Sequence, residues 1–434
     1  MTVTVIGGGL AGCEAAYRLA KYGLTVILYE MKPHRRSPAH HTDDLAELVC
    51  SNSLKAERTA SAGGLLKAEM RLLGSLLLDV AVLCKVPAGG ALAVDRQGFS
   101  RLVTERITSH PNITLIREEV NRIPDTPAII ATGPLTSDAL SAAIGEHLGS
   151  GYLSFYDAAA PIVTAQSIDK SIAFPAARYG RGEDDYLNCP MNREQYDAFY
   201  QALVSGERAP LKDFEGDLRV YEGCMPIEVL AARGKDAMRF GPLKPVGLTD
   251  PHTGRRPWAV VQLRQEDAAA TMYNLVGFQT NLKFGEQKRI FALIPGLENA
   301  EFARYGVMHR NTYLNSPRLL DNTFALRENP HMAFAGQITG VEGYMESAAS
   351  GILAAEHLAR RLLDRPPLKL PPETMLGALS ARTANRTITD FQPMGANMGL
   401  LPELPVRVKG KQERYQALAD RAIDALKEQL TADN

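Results

Sequence analysis

The sequence predicts an α/β fold in which one domain is discontinuous and a second, α+β domain is inserted into it. Its first 30 residues read as strand, glycine turn, helix and second strand, the order of a βαβ unit. Two later apolar runs, AIIATG and MAFAG, also end in glycine, and the stretch between them has a different composition. We therefore expect residues 1–165 and 325–434 to form one domain and residues 166–324 to form the other.

The N-terminal unit carries the pattern that holds a dinucleotide in Rossmann-like domains. In this pattern the first glycine makes a tight turn, the second lets the backbone approach a pyrophosphate, and the third lets the helix pack closely. Glu30 ends the second strand, where a carboxylate accepts hydrogen bonds from a ribose hydroxyl. The alternative is a glycine-rich turn in a generic βαβ unit. The predicted cofactor-binding residues of the turn are Gly7, Gly8, Gly9, Leu10, Ala11 and Gly12.

Two later motifs favour FAD as the dinucleotide. The first apolar run turns at Gly133, and the second ends at Gly336 and is followed by Gln337. Many FAD proteins have an acid after this glycine, but an amide can also hydrogen-bond a hydroxyl or a phosphate. A helix of small residues then begins near Gly343 and Tyr344, so its N-terminus would face the cofactor. The three motifs occur in the order expected for a Rossmann-like FAD-binding domain.

The inserted stretch is richer in proline, arginine and aromatic residues. We expect a helix over residues 192–204 and strands over 258–264 and 271–276, which together predict an antiparallel sheet in the inserted domain. Residues 409–430 read as a charged amphipathic helix that packs on the protein surface.

Composition limits the class of protein. The 434 residues are 45% hydrophobic and 22% charged with a net charge of −1, so a nucleic-acid partner requires a local basic face. The five cysteines form no CxxC pair, which argues against a disulfide scaffold or a zinc site and for a reducing compartment. His40 and His41 have no suitably spaced third ligand, so we expect a solvated loop. No apolar run approaches the roughly 20 residues of a membrane span. These features predict a cytoplasmic protein without a metal.

Two cysteines are candidate nucleophiles. Cys224 precedes Pro226, which fits the first position of a helix, and a thiol at a helix N-terminus is favoured as the thiolate. Glu222 and Glu228 oppose that effect. Cys50 follows apolar residues and precedes polar turn residues, as at the exposed end of an element. For both cysteines the alternative is simple packing as a small apolar residue.

Long runs of the chain resemble the folate- and FAD-dependent tRNA (uracil-C5)-methyltransferases, the TrmFO family. The resemblance spans essentially the full length, and Gln337 is the expected residue in that family. The segment around Gln337 and Tyr344 is similar also in the related flavoprotein GidA/MnmG, a longer protein that modifies the wobble uridine of tRNA. The runs that carry the resemblance are VIGGGLAGCEAA, LVCSNSLK, YEGCMPIE, VGFQTNL, YGVMHRNT and FAGQITGVEGY.

The resemblance implies methylation of the T-loop uridine at position 54 of tRNA. The carbon would come from 5,10-methylenetetrahydrofolate. A flavin reduced by NADH or NADPH would provide two electrons. By the same resemblance both cysteines act in catalysis: Cys224 is the best candidate for the nucleophile that adds to uracil and Cys50 for the partner thiol near the flavin, and the reverse assignment is the alternative. Tyr344, at the predicted flavin-facing turn, is expected to pack on the flavin ring.

The tRNA must present a base that is normally stacked in its elbow, so we expect that base to be extruded into the flavin pocket. Candidate phosphate contacts are Lys283, Lys288 and Arg289, or Lys409 and Lys411, each of which also fits a solvated charged face. Three alternatives remain: an FAD oxidoreductase of a small molecule, a GidA-like enzyme of the wobble uridine, and a flavin-containing RNA-binding protein without catalytic activity.

Overall fold

The computed structural model describes residues 1–37, 39–125, 127–149, 153–180, 185–209 and 225–433. Strands and helices are numbered separately in chain order. The strands are β1 (Thr2–Ile6), β2 (Thr25–Tyr29), β3 (Ser53–Ala56), β4 (Lys85–Val86), β5 (Ala91–Val94), β6 (Ile113–Ile116), β7 (Ala128–Ile130), β8 (Leu153–Ala158), β9 (Ile162–Thr164), β10 (Phe174–Pro175), β11 (Tyr186–Met191), β12 (Ala259–Gln265), β13 (Met272–Leu275), β14 (Phe302–Arg304), β15 (Met308–Tyr313) and β16 (Met332–Phe334).

The helices range from single turns to more than five turns. They are α1 (Leu10–Lys21), α2 (Ala62–Leu72), α3 (Leu76–Leu83), α4 (Arg96–Thr108), α5 (Asp138–Leu148), α6 (Arg193–Ser205), α7 (Ile227–Ala232), α8 (Ala237–Phe240), α9 (Phe284–Phe291), α10 (Ser316–Leu319), α11 (Tyr344–Leu362), α12 (Met375–Thr383) and α13 (Lys411–Ala432).

A parallel sheet with the strand order β16-β7-β1-β2-β6 forms the centre of the first part of the fold. Its strands are short apolar runs because helices cover them, and Val5, Leu28 and Ile129 are fully buried. Helices α1 and α11 approach each other closely, since a Cβ on Gly351 would lie 2.2 Å from the carbonyl oxygen of Ala11. The sheet confirms the predicted α/β fold.

An antiparallel sheet with the order β10-β11-β12-β13-β9-β14 forms the centre of the second part. Its own core contains the fully buried rings of Tyr196, Phe199, Phe278 and Phe291. The predicted helix and both predicted strands occur here as α6, β12 and β13, and β9 (Ile162–Thr164) also joins this sheet. Among the described residues, no helix is both long enough and apolar enough to cross a membrane.

Candidate active site

A cleft of about 1010 Å³ opens where β1, β2, β7 and β16 end, at the carboxyl edge of the parallel sheet. Ligands bind at this edge in open α/β sheets because the loops and helix N-termini that follow the strands meet there. The predicted residues that line the cleft are Gly7, Gly8, Gly9, Leu10, Ala11, Glu30, Gly133, Gly336, Gln337 and Tyr344.

The glycine turn has the geometry that a bound pyrophosphate requires. Gly7 has a φ of +103°, which side chains disfavour, and a Cβ on Gly12 would lie 1.8 Å from the carbonyl oxygen of Gly7. Gly12 therefore sets the contact between β1 and α1 rather than lining the cleft. A Cβ on Gly9 would meet no atom within 4 Å, so the backbone there is open to a ligand. The turn fits the predicted FAD.

Glu30 is fixed by the turn that it faces. Its side chain is buried, with Oε2 accepting from the N–H of Gly8 at 2.9 Å and Oε1 accepting from the N–H of Lys32 at 3.0 Å. A carboxylate has about four acceptor positions, so both oxygens keep capacity for a further donor. The carboxylate is thus held at the cleft wall, ready to accept from a ribose hydroxyl.

The N-terminus of α11 closes the other side of the cleft. Gly343 is its N-cap residue, Tyr344 is its first residue, and the preceding Gln337 donates from Nε2 to Oε2 of Glu342 at 2.6 Å. Glu342 is buried and was not singled out from the sequence. The acid that many FAD proteins have directly after the glycine is absent from that position, but a carboxylate holds the amide that replaces it.

A second cavity of about 910 Å³ adjoins the first, and Cys50 is among the residues that line it. The wall between them is shared by five residues, and Gly343 and Glu342 also line the second cavity. Cys50 therefore lines a space that adjoins the predicted cofactor cleft. The shared residues are Val49, Pro134, Leu135, Gln337 and Tyr344.

Hydrogen bonds hold the backbone around Cys50 from two sides. The hydroxyl of Tyr344 accepts from the N–H of Cys50 at 2.7 Å and from the N–H of Ser51 at 3.1 Å. From the antiparallel sheet, Nη2 of Arg304 donates to the carbonyl of Cys50 at 3.1 Å. Burial raises the pKa of Tyr344, so the phenol stays protonated at neutral pH. The half-buried thiol therefore lies between α11 and β14.

Arginines surround the same segment. Arg264 donates from Nη2 to Oγ of Ser51 at 2.6 Å and from Nε to Oδ1 of Asn52 at 2.9 Å. Burial lowers the pKa of Arg264 and Arg304, and the negative charge of Glu266 opposes that effect in both. The sequence did not indicate these arginines, which supply positive charge beside the thiol.

Asn52 joins β5, which belongs to a small sheet of order β3-β5-β4, to β12 of the antiparallel sheet. Its amide donates to the carbonyls of Val94 at 3.0 Å and Gln265 at 2.9 Å, and it is fully buried. Nearby, Nε of Arg96 donates to Oε2 of Glu266 at 2.9 Å. These contacts fix the Cys50 segment against the C-terminal end of β12, so its position depends on how the antiparallel sheet packs.

The prediction of a solvated His40–His41 loop is wrong for His40. His41 is exposed, but His40 is half-buried, lines the first cavity and has Nδ1 2.6 Å from Oγ of Ser37. Burial and the charge of Lys32 lower the pKa of His40, which keeps the ring neutral at neutral pH. No group of three or more His, Cys, Asp or Glu side chains suited to a metal occurs among the residues that the structure describes.

Cys224 lies outside the described residues. The helix after it begins at Ile227 with Pro226 as the N-cap, one position from the sequence prediction. The N–H of Ile227 donates to the carbonyl of Gln279 at 2.7 Å, and Gln279 lines the second cavity.

The predicted phosphate contacts lie on the surface. Lys283 pairs with Glu207 at 2.6 Å, and Arg289 pairs with Glu286 at 2.6 Å. The other predicted contacts, Lys288, Lys409 and Lys411, are also exposed.

Comparison with known proteins agrees with this geometry. Residues 2–366 match the family described as glucose inhibited division protein A, GIDA. Two structures of GidA from Aquifex aeolicus superpose with a TM-score of 0.71 at 16% identity, covering 99% of this chain and 73% or 76% of theirs. At that identity the likeness shows a shared fold.

Several curated relatives match over nearly the whole length, each of them named methylenetetrahydrofolate--tRNA-(uracil-5-)-methyltransferase TrmFO. The Heliobacterium modesticaldum protein is 58% identical over 100% of this chain and 99% of its own. The Moorella thermoacetica protein is 60% identical over 97% of each chain, and the Bacillus subtilis protein is 56% identical over 98% of each. The resemblance inferred from the sequence is confirmed: this chain belongs to the TrmFO family.

Proposed function

We propose that this protein is an FAD-dependent methylenetetrahydrofolate--tRNA-(uracil-5-)-methyltransferase that forms 5-methyluridine at position 54 in the T-loop of tRNA, with NADH or NADPH as the reductant. The two adjoining cavities carry this proposal, because Tyr344 and Gln337 line both the cavity of the dinucleotide-binding turn and the cavity of Cys50. Relatives of 56–60% identity that bear this name over the full chain support it.

The reaction requires a nucleophile because carbon 5 of uracil does not attack an electrophile unaided. A thiolate that adds at carbon 6 produces an enolate and makes carbon 5 nucleophilic. We assign this addition to Cys224 from the family resemblance. The carbonyl of Gln279 in the cavity wall accepts from Ile227, three residues after Cys224, which supports a thiol close to the cleft.

The protein's remaining task is to hold the reacting groups and to supply charge. When bound, the flavin would provide the two electrons that convert a methylene into a methyl group. Gly7 to Gly12 and Glu30 would hold its dinucleotide part, and Tyr344, which lines both cavities, would pack on its ring. Cys50 would act beside it, with Arg264 and Arg304 favouring an anionic thiol.

The cysteines indicate the cellular compartment of the protein, and the second cavity indicates where tRNA docks. Cys13, Cys84 and Cys189 are free thiols, as expected in the reducing cytoplasm. We infer that the T-arm of tRNA docks at the mouth of the second cavity, where the target base can enter.

The deciding experiment supplies the holoenzyme with an unmodified tRNA transcript, NADH and methylenetetrahydrofolate labelled in its methylene carbon, followed by nucleoside analysis. Labelled 5-methyluridine is expected, and none is expected from a transcript with cytidine at position 54. Repeated turnover of NADH that needs no RNA, without labelled 5-methyluridine, would instead support a small-molecule oxidoreductase. Label in the wobble uridine would support a GidA-like activity.

Three single variants test the assigned thiols. Cys224→Ala and Cys50→Ala should each abolish the labelled product while the protein stays folded and yellow. Cys84→Ala is the matched control, since Cys84 is a partly buried free thiol away from both cavities, and its product should remain normal. Normal product from Cys224→Ala or Cys50→Ala would remove the role assigned to that residue.

Tight tRNA binding that survives loss of both thiols, with no product even from the wild-type protein, would support an RNA-binding protein without catalytic activity.

A further inference from the structure

An aromatic column runs from the neighbourhood of the cleft to the protein surface. We define it as Phe302, Tyr305 and Phe284, in that order. The ring centroids of Phe302 and Tyr305 are 4.9 Å apart with planes 13° from parallel, and those of Tyr305 and Phe284 are 4.7 Å apart at 16°. Phe284 is 53% exposed, so the column ends in a ring whose outer side faces solvent.

The inner end of the column is attached to the Cys50 site. Phe302 and Tyr305 flank Arg304, whose guanidinium donates to the carbonyl of Cys50 at 3.1 Å. The next residue, Gly306, donates its N–H to Oε1 of Gln287 in α9 at 2.8 Å, which ties this segment to the helix that carries Phe284. The column therefore runs beside Arg304, which holds the Cys50 segment, and ends at the start of α9.

Cations surround the outer end. Lys283 directly precedes Phe284, and Lys288 and Arg289 lie on the same short helix, all three exposed. Lys283 and Arg289 form ion pairs with Glu207 and Glu286, but exposed pairs of this kind contribute little stability and are screened by salt. A phosphate group can compete for these side chains.

Single exposed apolar residues are common on protein surfaces, whereas Phe284 is an exposed ring at the end of a stack of nearly parallel rings. Its flat outer face can continue the stack with one more planar ring, and cations beside it match a chain of phosphates. Proteins bind unpaired nucleotides in this way, with bases stacked on aromatic rings and the backbone held by Lys and Arg.

We propose that Phe284 stacks on an unpaired nucleobase of the RNA substrate, close to the nucleotide that enters the cleft, while Lys288 contacts a neighbouring phosphate. Extrusion of a target base leaves its neighbours without their stacking partner, and the column provides a replacement. The proposal rests on the proposed function, because it takes tRNA as the substrate.

The test compares Phe284→Ala, Phe284→Trp and Phe240→Ala in the holoenzyme, with the dissociation constant for an unmodified tRNA transcript measured at fixed salt. Phe284→Ala should bind roughly five- to 150-fold more weakly, the range given by loss of one base-aromatic stack. Phe284→Trp should bind as tightly as wild type. Phe240 is 85% exposed and outside the column, so Phe240→Ala should bind normally.

A second measurement separates stacking from misfolding. Reduction of the bound flavin by NADH without RNA should proceed at the wild-type rate in all three variants. Lys288→Ala should bind tRNA more weakly whatever the RNA sequence. It should also make the slope of log affinity against log salt less steep by about one.

Normal tRNA binding by Phe284→Ala would overturn the proposal, and so would equal weakening in Phe284→Ala and Phe284→Trp. Loss of a dimer in sedimentation by Phe284→Ala, with unchanged tRNA affinity, would show a contact between two copies of the chain and would also overturn it. A wild-type enzyme that binds tRNA but forms no folate-derived 5-methyluridine would instead contradict the proposed function.

Discussion

Removing the carboxylate of Glu30 should release FAD without unfolding the protein. The side chain is only 7% exposed, and it accepts two backbone N–H groups from the turn and from the loop after β2. Glu30→Ala deletes the proposed acceptor for the ribose hydroxyl. A hydrogen bond to a charged acceptor contributes about 1.5–3 kcal/mol, so the dissociation constant of FAD should rise about ten- to 150-fold.

The two backbone N–H groups that bond Glu30 lose acceptors in Glu30→Ala and Glu30→Gln, and the cost differs between the two variants. In Glu30→Ala the N–H groups of Gly8 and Lys32 lose their acceptor, but they lie at a cleft that water can enter, so the cost stays near the lower end of about 1–3 kcal/mol each. In Glu30→Gln one acceptor oxygen remains, while the amide NH₂ faces the other N–H. We therefore expect Glu30→Gln to weaken FAD binding as well, although it preserves the size of the side chain.

FAD binding is measured by titrating the apoprotein with FAD and following flavin fluorescence. The control is Glu119→Gln, because Glu119 also lines the cleft but pairs with Arg35 at 2.7 Å on the exposed side. Its affinity should change by less than about two-fold, as expected for an exposed pair. An unchanged dissociation constant in Glu30→Ala would refute the role assigned to this carboxylate.

Three further outcomes follow from the structure. Tyr344→Phe removes the acceptor of two N–H groups, so hydrogen exchange at Cys50 and Ser51 should accelerate while FAD stays bound; unchanged exchange would contradict these bonds. Gly12→Ala should yield protein without FAD or no soluble protein, since its Cβ would overlap a carbonyl oxygen, and a yellow, stable variant would contradict that packing. Burial raises the pKa of Glu69 from 4.5 to about 7, so the folded protein keeps a proton that the unfolded chain loses, and stability falls as pH rises through this range. In urea titrations at pH 4.5 and 8, wild type should lose about 3 kcal/mol more than Glu69→Gln, and parallel losses would contradict this linkage.

The dinucleotide turn could be predicted from the sequence because each of its requirements is local. Gly7 and Gly12 are five residues apart, and Glu30 follows at the end of the next strand, so one βαβ unit contains the whole arrangement. The same holds for α6 and for the strands β12 and β13, whose patterns of apolar residues are contained in single elements. In these segments, residues that are near one another in the sequence determine the backbone conformation.

The setting of Cys50 could not be predicted in that way. Arg264 and Arg304 are more than 200 residues from Cys50, and only the packing of the antiparallel sheet brings them to it. The prediction for His40 was wrong for a related reason. A pair of histidines in a polar segment is typical of a solvated loop, and only the folded structure shows that one of them lines the cleft. Glu342 did carry a local signal, because it lies six residues after Gly336 and two before Tyr344.

The two sheets have separate apolar cores, yet the Cys50 segment depends on both. Its backbone N–H groups are held by Tyr344 at the start of α11, and its carbonyl is held by Arg304 at the end of β14. Tyr344 lines both cavities. Its ring would contact a cofactor, and its hydroxyl bonds the backbone of Cys50, so one side chain serves both. Any shift of the antiparallel sheet would therefore move Cys50 relative to the cofactor cleft while leaving the glycine turn in place. The parallel sheet and its loops thus account for the cofactor cleft, but the geometry around Cys50 depends also on contacts with the antiparallel sheet.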